Sequence, residues 1–221
     1  MPMEPVTIKS YKLRGTRITQ AQLDAKESLW GVHGIDFSTS KIDLQAIFPK
    51  SSQIVMEIGF GMGEATAQIA ANFPETGFLA IEVHQPGLGK LIVRMTENSL
   101  TNIKLIDRDV HEVFHYMIED NSLDGVHLFF PDPWPKKRHF KRRIINASFL
   151  EILATKIKSG GFVHIATDWV PYALSIKETF ASSDLFTGGV VERPNWRPMT
   201  RFEGQGITKD HAVTDLRYEV R

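Results

Sequence analysis

From Ser52 onward the chain alternates short apolar runs with segments of helical pattern. No other feature of its 221 residues constrains the fold as much. Ile54–Ile58 reads as a buried strand ending at Gly59, followed by a helix from Glu64 to about Asn72. Gly77–Val83 is a second strand, with a helix over Leu88–Asn98. Ile103–Ile106 is a third, with a helix from about Val110 to Ile118. Gly125–Phe130 is a fourth strand. An amphipathic helix over Asn146–Ile157 follows, with Gly160-Gly161 as its C-terminal stop. Phe162–Thr167 is a fifth strand and Tyr172–Ser182 a helix. The remainder is extended, with Val213–Val220 as the closing strand. Strands joined through single helices pair in parallel, which predicts an α/β fold with a mostly parallel sheet and helices on both faces. Residues 1–50 are weakly patterned apart from a short possible helix near Gln20–Leu29. They read as an N-terminal arm, partly mobile, ahead of one domain over residues 51–221.

Composition excludes several classes. Hydrophobic residues make up 42% and charged residues 24%, so a buried core is expected and disorder across the whole chain is not. Cysteine is absent, which removes disulfides, thiolate metal sites and a cysteine nucleophile, and fits a reducing, cytoplasmic setting. No apolar run reaches the length of a membrane span, and Met1–Lys12 lacks the apolar core of a signal peptide. His111 and His115 stand four apart on a predicted helix. No third ligand accompanies them, so no metal site is expected.

The turn Glu57-Ile58-Gly59-Phe60-Gly61-Met62-Gly63 joins the first strand to the first helix, and its glycines admit close backbone approach to a ligand. Glu82 ends the next strand, at about the spacing of roughly 20 residues where an acid meets ribose hydroxyls in nucleotide folds. The turn departs from the G-x-G-x-x-G of dinucleotide sites and lacks the lysine and Ser/Thr of a P-loop. Glu57 would repel a pyrophosphate but favour an ammonium or sulfonium. These features favour S-adenosylmethionine over NAD or ATP. Asp109, after the third strand, either accepts from an adenine amino group or caps the next helix, or does both. Ligands bind beyond the carboxyl ends of parallel strands, so Glu82, Asp109, Asp132 and Asp168 are expected to face one crevice.

The fourth strand runs into Phe129-Phe130-Pro131-Asp132-Pro133-Trp134-Pro135, then into six lysines and arginines within Lys136–Arg143. The prolines fix φ on either side of Asp132 and favour extended geometry there, giving a stiff loop that can aim a carboxylate. The chain is formally neutral, but without those six cations it carries 20 basic and 26 acidic residues. The positive charge is therefore concentrated, and a local patch is what a phosphate backbone feels.

The glycine turn, Ile81-Glu82-Val83-His84, Arg108-Asp109-Val110, the block from Phe129 to His139, Ala166-Thr167-Asp168 and Arg197-Pro198-Met199-Thr200-Arg201-Phe202-Glu203 together resemble the bacterial tRNA (guanine-N7-)-methyltransferases. The resemblance runs from residue 54 to residue 203. It implies a Rossmann-like class I methyltransferase fold with seven strands, S-adenosylmethionine as cofactor, and tRNA as partner of a monomer or homodimer. The expected reaction is methyl transfer to guanine N7 in the variable loop. Glu57, Glu82, Asp109 and Asp132 would bind the cofactor, with Gly59, Gly61 and Gly63 shaping its pocket. Asp132 would also be the catalytic acid. Lys136, Asp168, Thr200, Arg201, Phe202 and Glu203 would bind substrate. Arg138, His139, Lys141, Arg142 and Arg143 would contact RNA. Gln205 stands where the family often carries a basic residue, which bears on a peripheral RNA contact. The rival readings are a nucleotide-binding oxidoreductase and a non-catalytic RNA-binding module. The glycine spacing and Glu57 oppose the first, and the intact strand-end acids oppose the second.

Overall fold

The apolar runs pair as the alternation requires. The computed structural model describes residues 8–12, 18–199 and 213–221. Two helices come first, α1 (Gln20–His33) and the single turn α2 (Leu44–Ile47). The alternating part follows as β1 (Gln53–Ile58), α3 (Glu64–Asn72), β2 (Thr76–Ile81), α4 (Gln85–Glu97), β3 (Ile103–Ile106) and α5 (Val110–Glu112). Then come β4 (Leu123–Phe129), a 3-10 helix over Lys137–Arg142, α6 (Ala147–Lys156), β5 (Ile157–Thr167), α7 (Val170–Ala181), β6 (Phe186–Val191) and β7 (Thr214–Val220). One sheet holds the strands in the order β3-β2-β1-β4-β5-β7-β6. Strands β1 to β5 are parallel, and β7 is antiparallel to both of its neighbours. The strand order reverses at β1, so the carboxyl ends of β1 and β4 flank a switch point where α/β folds place ligands.

Side chains alternate between the two faces of a strand. Ile54, Met56 and Ile58 of β1 join Leu79 and Ile81 of β2 in a core completed by Phe149 and Leu153 of α6 and Tyr172 and Ile176 of α7. Val55, Phe78 and Ala80 point the other way, into a core with Ile69 of α3 and Leu88 and Leu91 of α4. Glu57 falls on the Val55 face, at a position where the period demands an apolar residue.

Helix α1 continues four residues past the predicted end, to His33. Thr19 and Gln22 cap it reciprocally, Thr19 Oγ1 accepting from the Gln22 amide and Gln22 Oε1 from the Thr19 amide. It packs on α4, and a Cβ on Gly89 would strike the Gln22 backbone. Lys26 ties α1 to the end of β3 through Asp107, at 2.6 Å. The expected helix from Val110 becomes a short α-turn and a π-helical stretch over Val113–Met117.

Gly160-Gly161 is not a helix stop. Helix α6 ends at Lys156, Ile157 already pairs with Leu123, and Phe162 pairs with Gly125. The glycines absorb the extra β5 residues as a bulge, with Gly160 at φ 76°. Strand β6, not located from the sequence, adds to the far side of β7. Behind it Arg197 is fully buried and holds Asp215 of β7 through Nε and Nη2, both at 2.8 Å, while His164 of β5 bonds the same carboxylate. This anchors the segment before Met199 to the sheet.

The amide of Asn102 donates to the carbonyls of Ala70, Phe73 and Thr76, at 3.0, 3.1 and 3.0 Å, joining the end of α3 to the starts of β2 and β3. Asn102→Asp would set an anion against three acceptors. It should destabilise the fold by about 1–3 kcal/mol in urea unfolding, the cost of leaving such groups unsatisfied.

Candidate active site

Three glycines after β1 sit in the left-handed region, Gly59, Gly61 and Gly63 at φ 73°, 60° and 69°. They do different work. An added Cβ on Gly63 would lie 2.6 Å from Leu91 Cβ, so Gly63 seats α3 against α4. Cβ atoms on Gly59 and Gly61 would meet nothing within 4 Å, so those two face open space. Glu82 closes the turn from the neighbouring strand. Its Oε2 accepts from the Gly61 amide at 2.8 Å, and its Oε1 from the amides of Val83 and His84 at 2.8 and 3.1 Å. Burial raises the Glu82 pKa, and these three N–H donors work against that rise.

Glu57 lies beneath the turn with 3% of its surface exposed, and its Oε2 has no hydrogen-bond partner among the described residues. Burial pushes its carboxyl up to about 7. The Thr66 hydroxyl pulls it back, and the Glu82 charge adds to the rise. A buried, poorly satisfied acid under an open glycine cradle fits a nucleoside ligand that carries positive charge. The residues present therefore fit the expected cofactor.

The other expected acids follow their strands. Asp109 caps α5, accepting from the His111 amide at 2.9 Å, so the capping half of its expected role is realised. Asp168 is partly exposed between β5 and α7. Asp132 is partly exposed on a loop whose neighbours Phe130 and Trp134 have φ 53° and 44°. Positive φ is rare for bulky side chains, and such strain collects at functional sites.

A contact that the sequence did not suggest crosses this loop. The Lys12 amide donates to Asp132 Oδ2 at 3.2 Å, and the Trp134 indole donates to the Ser10 carbonyl at 2.8 Å. Tyr11, between them, has its hydroxyl pKa raised by burial first, then by the charges of Asp109 and Glu112, and more weakly by Glu82. The segment Ser10–Lys12 thus packs on the Asp132 loop, with Tyr11 in the field of Asp109 and Glu82. Its sequence carries no motif that marks it.

The basic run is sorted by its helix. In a 3-10 helix residues three apart eclipse. His139 and Arg142 form one ridge against Trp134, with ring centroids 5.6 Å apart and the guanidinium 4.9 Å from the indole. Phe140 and Arg143 form a second, the guanidinium 3.9 Å from the phenyl centroid. Arg138 and Lys141 form the third and are exposed, as are Lys136 and Lys137. Arg143, expected with the RNA-contacting residues, is instead buried at 6% exposure. Thr200, Arg201, Phe202, Glu203 and Gln205 lie outside the described residues. Among the described residues no three His, Asp or Glu cluster as metal ligands.

A family model described as "Putative methyltransferase" matches residues 51–216. The chain is 47% identical over 215 residues to the tRNA (guanine-N(7)-)-methyltransferase of Neisseria meningitidis serogroup A, covering 96% of this chain and 90% of that protein. It is 45% identical over 212 residues to the enzyme of the same name from Nitrosomonas eutropha, covering 95% of each. Among solved structures, the 16S rRNA methyltransferase KamB superposes with a TM-score of 0.60 at 12% identity, over 82% of this chain and 94% of that one. That likeness supports the class I methyltransferase fold.

Glu57 yields a pH prediction. Its carboxyl keeps a proton up to about pH 7 when folded, but only to about 4.5 when unfolded. Below 4.5 both states hold the proton and the group costs nothing. Between the two values the cost grows with pH, and above 7 it is constant. Glu57→Gln should therefore stabilise the ligand-free protein above pH 7 by on the order of 3 kcal/mol. The gain should fade toward pH 4.5 when urea unfolding is followed across that range. An equal gain at all pH values would mean that Glu57 is not buried in ionised form.

Proposed function

The chain belongs to the bacterial tRNA (guanine-N7-)-methyltransferase family, and from that premise we propose how its residues divide the work. The reaction moves a methyl group from S-adenosylmethionine to N7 of a guanine in tRNA. We place that guanine in the variable loop and the enzyme in the cytoplasm, as a monomer or homodimer working without a metal. No described helix is long and apolar enough to cross a membrane, and displacement at a sulfonium carbon needs no metal.

Bound over the glycine turn, S-adenosylmethionine supplies an electrophilic methyl group on a sulfonium. Glu57 offers its charge to the cationic end of that molecule, and Gly59 and Gly61 leave it room. A carboxylate has about four acceptor directions. Three of those on Glu82 are taken by backbone amides, which leaves one for a ribose hydroxyl. Asp109 keeps acceptor capacity beyond its cap for the adenine amino group.

Guanine N7 carries an in-plane lone pair, so no base is required to make it a nucleophile. Catalysis is then chiefly positioning, together with stabilisation of the charge that arrives on the purine. Asp132 is the group for both. Its carboxylate would accept from the N1–H and N2–H edge of guanine, which adenine lacks, and its charge would favour the cation formed on the ring. What supports this assignment is the loop that holds Asp132, which follows β4 beside the switch point and is strained at both ends. Lys136 and Asp168 would serve with it as substrate contacts, with Thr200, Arg201, Phe202 and Glu203 from the late motif. Arg138, His139, Lys141 and Arg142 would hold phosphates without reading sequence.

Incubation with labelled S-adenosylmethionine and unmodified tRNA should give 7-methylguanosine. Asp132→Asn should retain the fold and most tRNA affinity, yet slow single-turnover transfer about 10²–10³-fold, as for loss of a fixed electrostatic partner. A wild-type rate, or a defect cured by saturating both substrates, would make Asp132 a binding residue or a turn cap.

The exposed ridge makes a separate prediction. Replacing Arg138 and Lys141 with Gln should weaken tRNA binding and flatten its salt dependence by a slope of roughly 0.7–0.9 per lost phosphate contact. Cofactor affinity should hold. An unchanged slope would leave the ridge as ordinary solvated surface.

A further inference from the structure

Arg143 closes the basic run but is enclosed. Its Nε donates to the Pro133 carbonyl oxygen at 2.9 Å. Its guanidinium lies over Phe140 and also 4.8 Å from the ring of Tyr172, which has no exposed surface. Nη2 is buried without a hydrogen-bond partner, and among the described residues no carboxylate pairs with the charge. Burying a cation this way is unfavourable, and two ring faces and one carbonyl offset only part of the cost. Arg143 is also too enclosed to meet a phosphate.

What the arrangement secures is Pro133. That residue has no N–H, so its carbonyl is the one backbone group through which the loop can be gripped there. It directly follows Asp132, between the left-handed Phe130 and Trp134, a backbone that persists only where its surroundings hold it. Tyr172 is buried beside the guanidinium, and burial dominates the rise of its hydroxyl pKa to about 12, with the Arg143 charge lowering it and the Asp132 charge raising it.

We propose that Arg143 is a positioning residue that acts through the Pro133 carbonyl to hold Asp132 at the reacting guanine, and that it does not contact RNA. This rests on the assignment of Asp132 above.

The test is a kinetic cycle in the full-length protein with tRNA and S-adenosylmethionine, using Arg143→Met, Asp132→Asn and the double variant. Arg143→Met should lower the single-turnover rate at saturation about 10–100-fold, the scale of a small misplacement of a reacting group. The salt slope of tRNA binding should stay at the wild-type value. In the Asp132→Asn background Arg143→Met should cost nothing further, because the carboxylate it positions is gone. Losses that multiply in the double variant would overturn the proposal while leaving Asp132 in its role. So would a salt slope reduced by roughly 0.7–0.9 with the saturated rate intact, which would make Arg143 a phosphate contact. A wild-type rate for Asp132→Asn alone would instead remove the assignment beneath it. If Arg143→Met does not fold, Arg143→Lys goes through the same cycle, and the same outcomes support or overturn the proposal.

Discussion

Parallel pairing of β1 to β5 brings five carboxyl strand ends to one edge of the sheet, and the site depends on that placement. Backbone amides at such an edge attract anions. Glu82 already holds the Gly61 amide of the glycine turn, with those of Val83 and His84 ahead of α4, so part of that donor set is taken. Glu57 adds a second acid just below. A turn of nucleotide-binding shape is thereby made inhospitable to pyrophosphate and suited to a nucleoside carrying positive charge. On the division of work proposed above, two carboxylates, rather than the glycines, decide the ligand class.

That choice costs stability. Glu57 occupies a position where β1 alternation calls for an apolar side chain, and its carboxyl titrates near 7 because the interior opposes its charge. A buried ionised acid opposes folding by several kcal/mol, a large part of the roughly 5–15 kcal/mol net stability of a domain. The Phe130–Trp134 loop stores strain of a comparable order. A better satisfied buried charge lies beside that loop, with Arg197 5.8 Å from the Phe130 ring. The buried Arg197–Asp215 pair, bonded twice and joined by His164, locks β7 and the segment before it onto β5. Its geometry satisfies both charges, the condition under which burying them is tolerable.

Much of this was legible in the residues. The short apolar runs located β1 to β5, and the glycine turn, Glu57, Glu82, Asp109 and Asp132 fall beyond or at the strand ends where the strand–helix alternation put them. Other features were not legible, for identifiable reasons. Gly160-Gly161 resembles a helix stop because a bulge and a C-cap both call for glycine, and only pairing with β4 separates them. Strand β6 was not located because Thr187-Gly188-Gly189 breaks its apolar pattern at an exposed edge. The contacts of Ser10–Lys12 with the Asp132 loop join residues more than a hundred positions apart, and no local pattern encodes that.

The basic run shows how far charge alone misleads. From Lys136 to Arg143 six cations look equivalent, and a solvated or α-helical segment would leave them so. The 3-10 geometry repeats every three residues, so it deals them into separate ridges. One ridge, His139 and Arg142, lies on Trp134, and another turns Arg143 inward beneath Phe140. Only Arg138 and Lys141, with Lys136 and Lys137 before them, remain in full contact with water and ions. Charges in water interact with a polyanion through a screened field that salt weakens. A charge enclosed by rings and a carbonyl is nearly blind to that field and acts on its own backbone instead. One short stretch therefore holds cations of two physical kinds. Burial, not residue type, decides which of them stay in water and which grips the loop that carries Asp132.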